Sequence, residues 1–186
     1  MIGFAFCGSF CTIRNALGEL ERLCEQGEVQ GIVSEAVFCT DTRFAPASKV
    51  LDEIRRLTGR EVIHTIVGAE PLGPKAPLEA LIICPCTGNT LSKMANGITD
   101  SSVSMAAKAH LRTDRPLVIA LASNDALSAN LKNIGELLNR KNVYFVPMKQ
   151  DDPIGKPHSL VADFSQLSST LDGALRGEQR QPIFQT

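Results

Sequence analysis

Several short segments of this chain are apolar at almost every position, and each is followed by a longer amphipathic stretch. Residues 2–7, 31–39, 81–84, 117–121 and 143–146 read as strands, with a weaker run at 61–64. A strand without a polar face is buried on both sides, which is the signature of a parallel sheet covered by helices. The intervening stretches carry the helical period. In 14–26 the residues Leu17, Leu20, Leu23 and Cys24 share a face, and in 47–58 Val50, Leu51, Ile54 and Leu57 do the same. Further helices are expected over 90–95, 102–111, 126–138 and 165–176. The alternation predicts an α/β fold: a three-layer, doubly wound, Rossmann-like and mostly parallel sheet of about six strands.

A chain of 186 residues fits one domain, taken here as 1–186. Residues 177–186 form a polar arm whose Pro182-Ile183-Phe184 cluster is expected to lie on a neighbour. A net charge of −1 offers no field for nucleic acid or an anionic membrane, and low aromatic content, with no Trp and a single Tyr, argues against stacking platforms for single strands. The apolar start lacks a basic flank, and no later stretch is long enough to cross a bilayer, so a cytoplasmic protein is expected. Cys7 and Cys11, and Cys84 and Cys86, are not spaced as CxxC and have no His at ligand spacing. Reduced thiols near the core, and no metal, are expected.

In a doubly wound sheet ligands bind beyond the carboxyl ends of the strands, so the turns after the strands carry the functional reading. After the first strand, Gly8 permits a tight turn and Ser9 or Thr12 precedes a helix whose first N–H groups suit an anion. The same letters also describe a capped turn. After 31–39, Thr40, Thr42 and Arg43 offer two hydroxyls and a cation, again equally suited to a phosphate or a solvated turn. After 81–84, Pro85 ends the strand. Gly88 then allows close backbone approach, and Thr87, Asn89 and Thr90 present neutral donors at a helix start. This cluster is hard to explain by packing alone. After 117–121, Ser123 and Asn124 extend the polar row, with Asp125 as a natural helix cap.

The turn Pro85–Thr90, with Lys93-Met94-Ala95-Asn96-Gly97 and Asp100, resembles the PASANT motif of the flavoprotein family, which includes cysteine decarboxylases and flavin prenyltransferases. Gly8-Ser9 and Thr40 resemble that family's other FMN-contacting turns in order and context. A narrower resemblance runs over nearly the whole chain, carried by Glu70–Lys75, the PCTGNTLSKMANGITD stretch, Ser123–Leu127, Gln150–Pro153 and Lys156-Pro157. It is to a branch of the family from endospore-forming bacteria. The resemblance implies FMN as cofactor, held by Gly8, Ser9, Thr40, Arg43, Pro85, Thr87, Gly88, Asn89, Thr90, Ser123 and Asn124. It implies one component of an oxidoreductase, working with a dehydrogenase-like A subunit on a small dicarboxylate from a lysine-pathway intermediate. A homo-oligomer and the mother cell of a sporulating bacterium are implied as well. Two departures stand out. The decarboxylases carry a catalytic His where this chain reads EPLGPKAPLEA, with His64 too far upstream. Their PxMN-type element is matched here only by Asn124. Oxidative decarboxylation of a cysteine is therefore not expected.

A pyridine dicarboxylate forms from its cyclic precursor by loss of water and two electrons, which calls for donors to the carboxylates and a group that moves protons. Lys93, His158 and Asp152 are the catalytic candidates, with Lys75, Arg43, Lys156 and Asp151 as further charged groups outside plain helix faces. A flavin prenyltransferase-like enzyme and a non-catalytic module that stabilises its partner are the alternatives.

Overall fold

The computed structural model describes residues 1–185. In chain order the elements are β1 (Ile2–Phe6), α1 (Ile13–Cys24), β2 (Val29–Val33), α2 (Glu35–Cys39), α3 (Ala47–Thr58), α4 (Ile66–Ala69), β3 (Ala80–Cys86), α5 (Gly88–Ala95) and α6 (Ser102–Leu111). They continue as β4 (Leu117–Ser123), α7 (Leu131–Leu138), β5 (Val143–Phe145), β6 (Met148–Lys149), β7 (Leu160–Ala162) and α8 (Leu167–Leu175). Every residue of β2, β3 and β4 is buried, as strands with two apolar faces require. The sheet runs β2-β1-β3-β4-β7-β6, and β5 pairs with the first half of β4. Pairings among β1 to β5 are parallel, while β7 runs antiparallel to β4 and β6.

Amphipathic helices close both faces. α1 buries Ile13, Ala16, Leu20 and Leu23 against β1, β2 and β3 and packs beside α3. α6 lies over β2, β3 and β4, with α5 next to it and α5 in turn against α7. The helix ends have chemical causes. Gly59 closes α3 in the left-handed region at φ 64°, and Ser101 with Ser104 forms a reciprocal capping box at the start of α6. Both helices coincide with their expected spans.

The structure corrects four expectations. The apolar run 31–39 is not one strand, because β2 stops at Val33 and α2 begins at Glu35. Ser34 takes the extended conformation of a cap, and the acid at Glu35 complements the positive end of the helix. The run 61–64 contributes only a single bridge, Ile63 to Ile32. Residues 126–130 form turns ahead of α7, because the Asp125 carbonyl accepts from both Ser128 and Asn130 N–H. Finally, the arm lies on its own chain. Met148 donates to the Ile183 carbonyl at 2.8 Å, and Gln185 donates back to Met148 at 2.9 Å. The short strands β6 and β7 were invisible in the sequence, since two or three residues carry no period.

β5 is an edge strand, and the arm also covers it. The Gln179 side-chain amide accepts from Phe145 N–H at 2.8 Å and donates to the Phe145 carbonyl at 2.7 Å, standing in for a further strand. Removing it in Gln179→Ala strands two backbone groups, and a loss of about 1–3 kcal/mol is expected in denaturant unfolding. An unchanged unfolding midpoint would show that the clamp contributes nothing.

Candidate functional site

The connection from β1 through α1 leads to β2 on one side, and the chain then returns across β1 to β3 on the other. The strand order therefore reverses between β1 and β3, and the carboxyl ends at such a reversal are where open α/β sheets bind ligands. The ends are tied together at that point. Cys7 N–H donates to the Pro85 carbonyl at 3.1 Å, and Ser34 N–H donates to the Phe6 carbonyl at 2.9 Å. In sheet order the strand ends present Ser34, then Gly8-Ser9, then Pro85–Thr90, then Ser123. The peptide bond between Cys84 and Pro85 is cis.

Of the four turns named from sequence, those after β1, β3 and β4 stand side by side, and the remaining one does not belong. Thr40 and Arg43 were expected at the end of the second strand; α2 intervenes and carries both away to exposed positions. Ser34 occupies the place assigned to Thr40. Its hydroxyl oxygen is buried and has no hydrogen-bond partner. In the sequence Ser34 is hidden by the apolar residues 36–39 that follow it, although a Ser-Glu pair after an apolar run is a helix-start signal.

Within the turn at β3 the donors divide into inward and outward groups. Thr87 caps α5, accepting from Thr90 N–H at 3.3 Å and donating to the Thr90 hydroxyl at 3.2 Å. Thr90 donates onward to the Cys7 sulfur at 3.2 Å, so both hydroxyl protons are engaged inside the protein. Burial pushes the Cys7 thiol up to about 11, which keeps it protonated as a neutral partner for Thr90. Cys84 and Cys86 are buried and raised in the same direction. The outward groups are the exposed Asn89 side chain and the first N–H groups of α5, at Gly88 and Asn89, which have no acceptor within the helix.

The β4 turn braces this helix start. Ser123 donates to the Asp125 carboxylate at 2.5 Å, Asn130 donates to its other oxygen at 2.8 Å, and Asn133 donates to Asn130 at 2.8 Å. The Ser123 and Asn130 bonds hold Asp125 below the usual carboxylate range. Asp125 is thus the centre of a turn rather than the cap of α7, and Ser123 is a buried member of its network. Asn124 is exposed beside it. Gly88 sits against this network: a Cβ there would meet Ser123 Oγ at 2.5 Å, Asn130 Nδ2 at 2.6 Å and Asp125 Oδ1 at 2.7 Å. The close approach expected of Gly88 is made to the protein's own polar groups.

The three catalytic candidates separate. Lys93 is paired with Asp100 at 2.8 Å, which draws the Asp100 carboxyl down. Asp152 accepts from Gly155 N–H at 2.8 Å and shapes the loop 150–158. In that loop Lys156 pairs with Asp151 at 2.8 Å, and His158 is exposed. The loop stands beside the strand ends, because Leu160 pairs with Ser123 and the His158 carbonyl accepts from Leu127 N–H. His64 follows Ile63, whose carbonyl accepts from Val33 N–H, and is stacked on Phe38 with ring centroids 3.8 Å apart. Among the described residues no cluster of three His, Cys, Asp or Glu side chains could hold a metal, and no helix is long and apolar enough to cross a membrane.

A Gly→Ala change inside a helix ordinarily stabilises by about 0.5–1 kcal/mol. For Gly88→Ala the sign reverses, with a loss of about 1–3 kcal/mol as the Cβ drives into the Asp125 network. Gly135→Ala in α7, where nothing lies within 4 Å, is the control and should be neutral or stabilising. Equal midpoints for the two variants in urea unfolding would contradict the packing described.

Comparison with known proteins gives a consistent set of likenesses. Residues 1–173 match the family described as Flavoprotein. The B subunit of dipicolinate synthase from Bacillus subtilis is 46% identical over 183 residues, covering 98% of this chain and 92% of that protein. The crystal structure of the corresponding B subunit from Bacillus halodurans is 45% identical, with a TM-score of 0.91 over 100% of this chain and 95% of the other. The FMN-dependent cysteine decarboxylase SpaF shares the fold at 23% identity, with a TM-score of 0.65 over 93% of this chain and 95% of the other.

Proposed function

Since the chain belongs to the flavoprotein family, we propose that it is the FMN-binding component of a dipicolinate-forming oxidoreductase, working with a dehydrogenase-like A subunit. The observation that carries the flavin part is the buried Ser34 hydroxyl without a partner, at the end of the strand next to the strand-order switch, with neutral donors on the far side of that switch. The near full-length likeness to the B subunit of dipicolinate synthase supports the pathway part.

Ser34, Gly8 and Ser9 would hold the cofactor phosphate, since their region is rich in hydroxyl and amide donors. The N–H groups of Gly88 and Asn89, with the Asn89 and Asn124 side chains, would face the flavin ring and bond its carbonyl oxygens. An α5 N-terminus that already has the Asp125 carboxylate against it suits a neutral ring edge better than a phosphate. When bound, FMN supplies an acceptor for the two electrons that aromatisation of the cyclic precursor releases. The protein's own contribution is to orient the ring and exclude water from the crevice. Of Lys93, Asp152 and His158, the His158 imidazole is the group whose exposed setting beside Ser123 leaves it free to move a proton. Lys93 is held by Asp100 and Asp152 by its own loop. In this reading the protein works in the cytoplasm of the mother cell, as a homo-oligomer paired with the A subunit.

Titration of the purified chain with FMN, followed in the visible spectrum and by flavin fluorescence, tests the proposal. Saturable binding is expected, weakened about tenfold or more in Ser34→Ala as a charge-assisted bond is lost. Absence of binding up to high micromolar FMN overturns the flavin reading. Failure of the A subunit to co-purify, or to make dipicolinate faster with this chain present, overturns the pathway reading.

A further inference from the structure

Thr40 and Arg43, carried away from the strand ends by α2, adjoin a second feature. A cavity of about 490 Å³ opens between the start of α1, the end of α2 and the first half of α3, a size ordinary for small-molecule sites. Its lining is mostly apolar and includes Phe10, Phe44 and Val50, and Thr40 is part of it. The Thr40 hydroxyl has a single polar neighbour, the Cys39 sulfur at 3.9 Å, so it is free to donate. Arg14 from α1 and Lys49 from α3 line the same cavity. Arg43 lies over the ring of Phe44, itself a lining residue, with its guanidinium carbon 4.9 Å from the ring centre.

The charge around this cavity is unbalanced. Among the described residues, Arg14, Arg43 and Lys49 have no carboxylate within ion-pair distance, whereas Arg22, Arg55, Arg56 and Arg60, on or beside the same helices, do. The acid that lines the cavity, Glu53, is already bound to Arg56 through two hydrogen bonds of 2.7 and 2.9 Å. Aromatic walls with uncompensated cations at the rim match a planar ring that carries carboxylates.

We propose that this cavity binds a small cyclic or aromatic dicarboxylate, its ring against Phe10 and Phe44 and its carboxylates drawn to Arg14, Lys49 and the Thr40 hydroxyl. The choice of a dicarboxylate rests on the function proposed above, while the lining and charge do not. Phe10 and Cys11 directly follow Gly8-Ser9, so the site adjoins the flavin crevice without sharing its donors. Occupation by substrate beside the cofactor, or by product as a brake on turnover, uses the same contacts.

Calorimetric titration of the full chain, without added flavin, tests the inference with dipicolinate as probe and pyridine as the uncharged comparison. Dipicolinate is expected to bind and pyridine not to. Arg14→Gln and Lys49→Gln should each weaken dipicolinate about tenfold, with FMN affinity unchanged. Both side chains are exposed and unpaired, so the variants retain the fold. No dipicolinate binding by the unaltered chain overturns the inference, as does unaltered affinity in the double variant. Because FMN is titrated separately, loss of the flavin reading and loss of this site give different results.

Discussion

A strand buried on both faces leaves room for polar chemistry only where it ends. β2, β3 and β4 are buried along their whole length, and the parallel order puts the ends of β2, β1, β3 and β4 side by side. The hydrogen bond from Cys7 to Pro85, across the switch between β1 and β3, fixes the two central turns at one level. Everything that the site offers follows from this: the buried Ser34 hydroxyl, the turn at Gly8, and the amides that open α5.

The turns are held by interactions directed inward. Thr87 donates to Thr90, Thr90 to Cys7, and Ser123 to Asp125, so most of the hydroxyls in the row stiffen the rim. What remains outward is a small set of backbone amides with Asn89 and Asn124, and the buried Ser34 hydroxyl is left without a partner. A neutral, rigid donor set of this kind suits a ligand whose oxygens are placed in advance, because no side chain has to be reorganised on binding.

Much of this was legible in the letters. α3 and α6 occupy their expected spans because apolar spacing, Gly59 and the Ser101/Ser104 box agree about where each helix lies. The turns at Gly8 and Pro85 were legible because Gly and Pro act locally. The end of β2 was not, since Ala36, Val37 and Phe38 prolong the apolar run, and only the Ser34-Glu35 pair marks the break. That one misplacement put Thr40 and Arg43 in the cofactor row and hid Ser34. The inward roles of Thr87, Thr90 and Ser123 were also hidden, because their bonding depends on partners brought together by the fold. Thr90 and Cys7 lie 83 residues apart in the chain. The arm clamped on β5 and β6 was hidden for the same reason.

Amide shifts in the 15N-1H spectrum of the labelled protein, recorded as FMN is added, locate the flavin on the molecule. Perturbations are expected to concentrate at Gly8, Ser9, Ser34, Gly88 and Asn89, with Gly59 and Lys141 unmoved. Shifts that avoid those five residues, or that spread evenly over the helices, would contradict a flavin site at the strand ends.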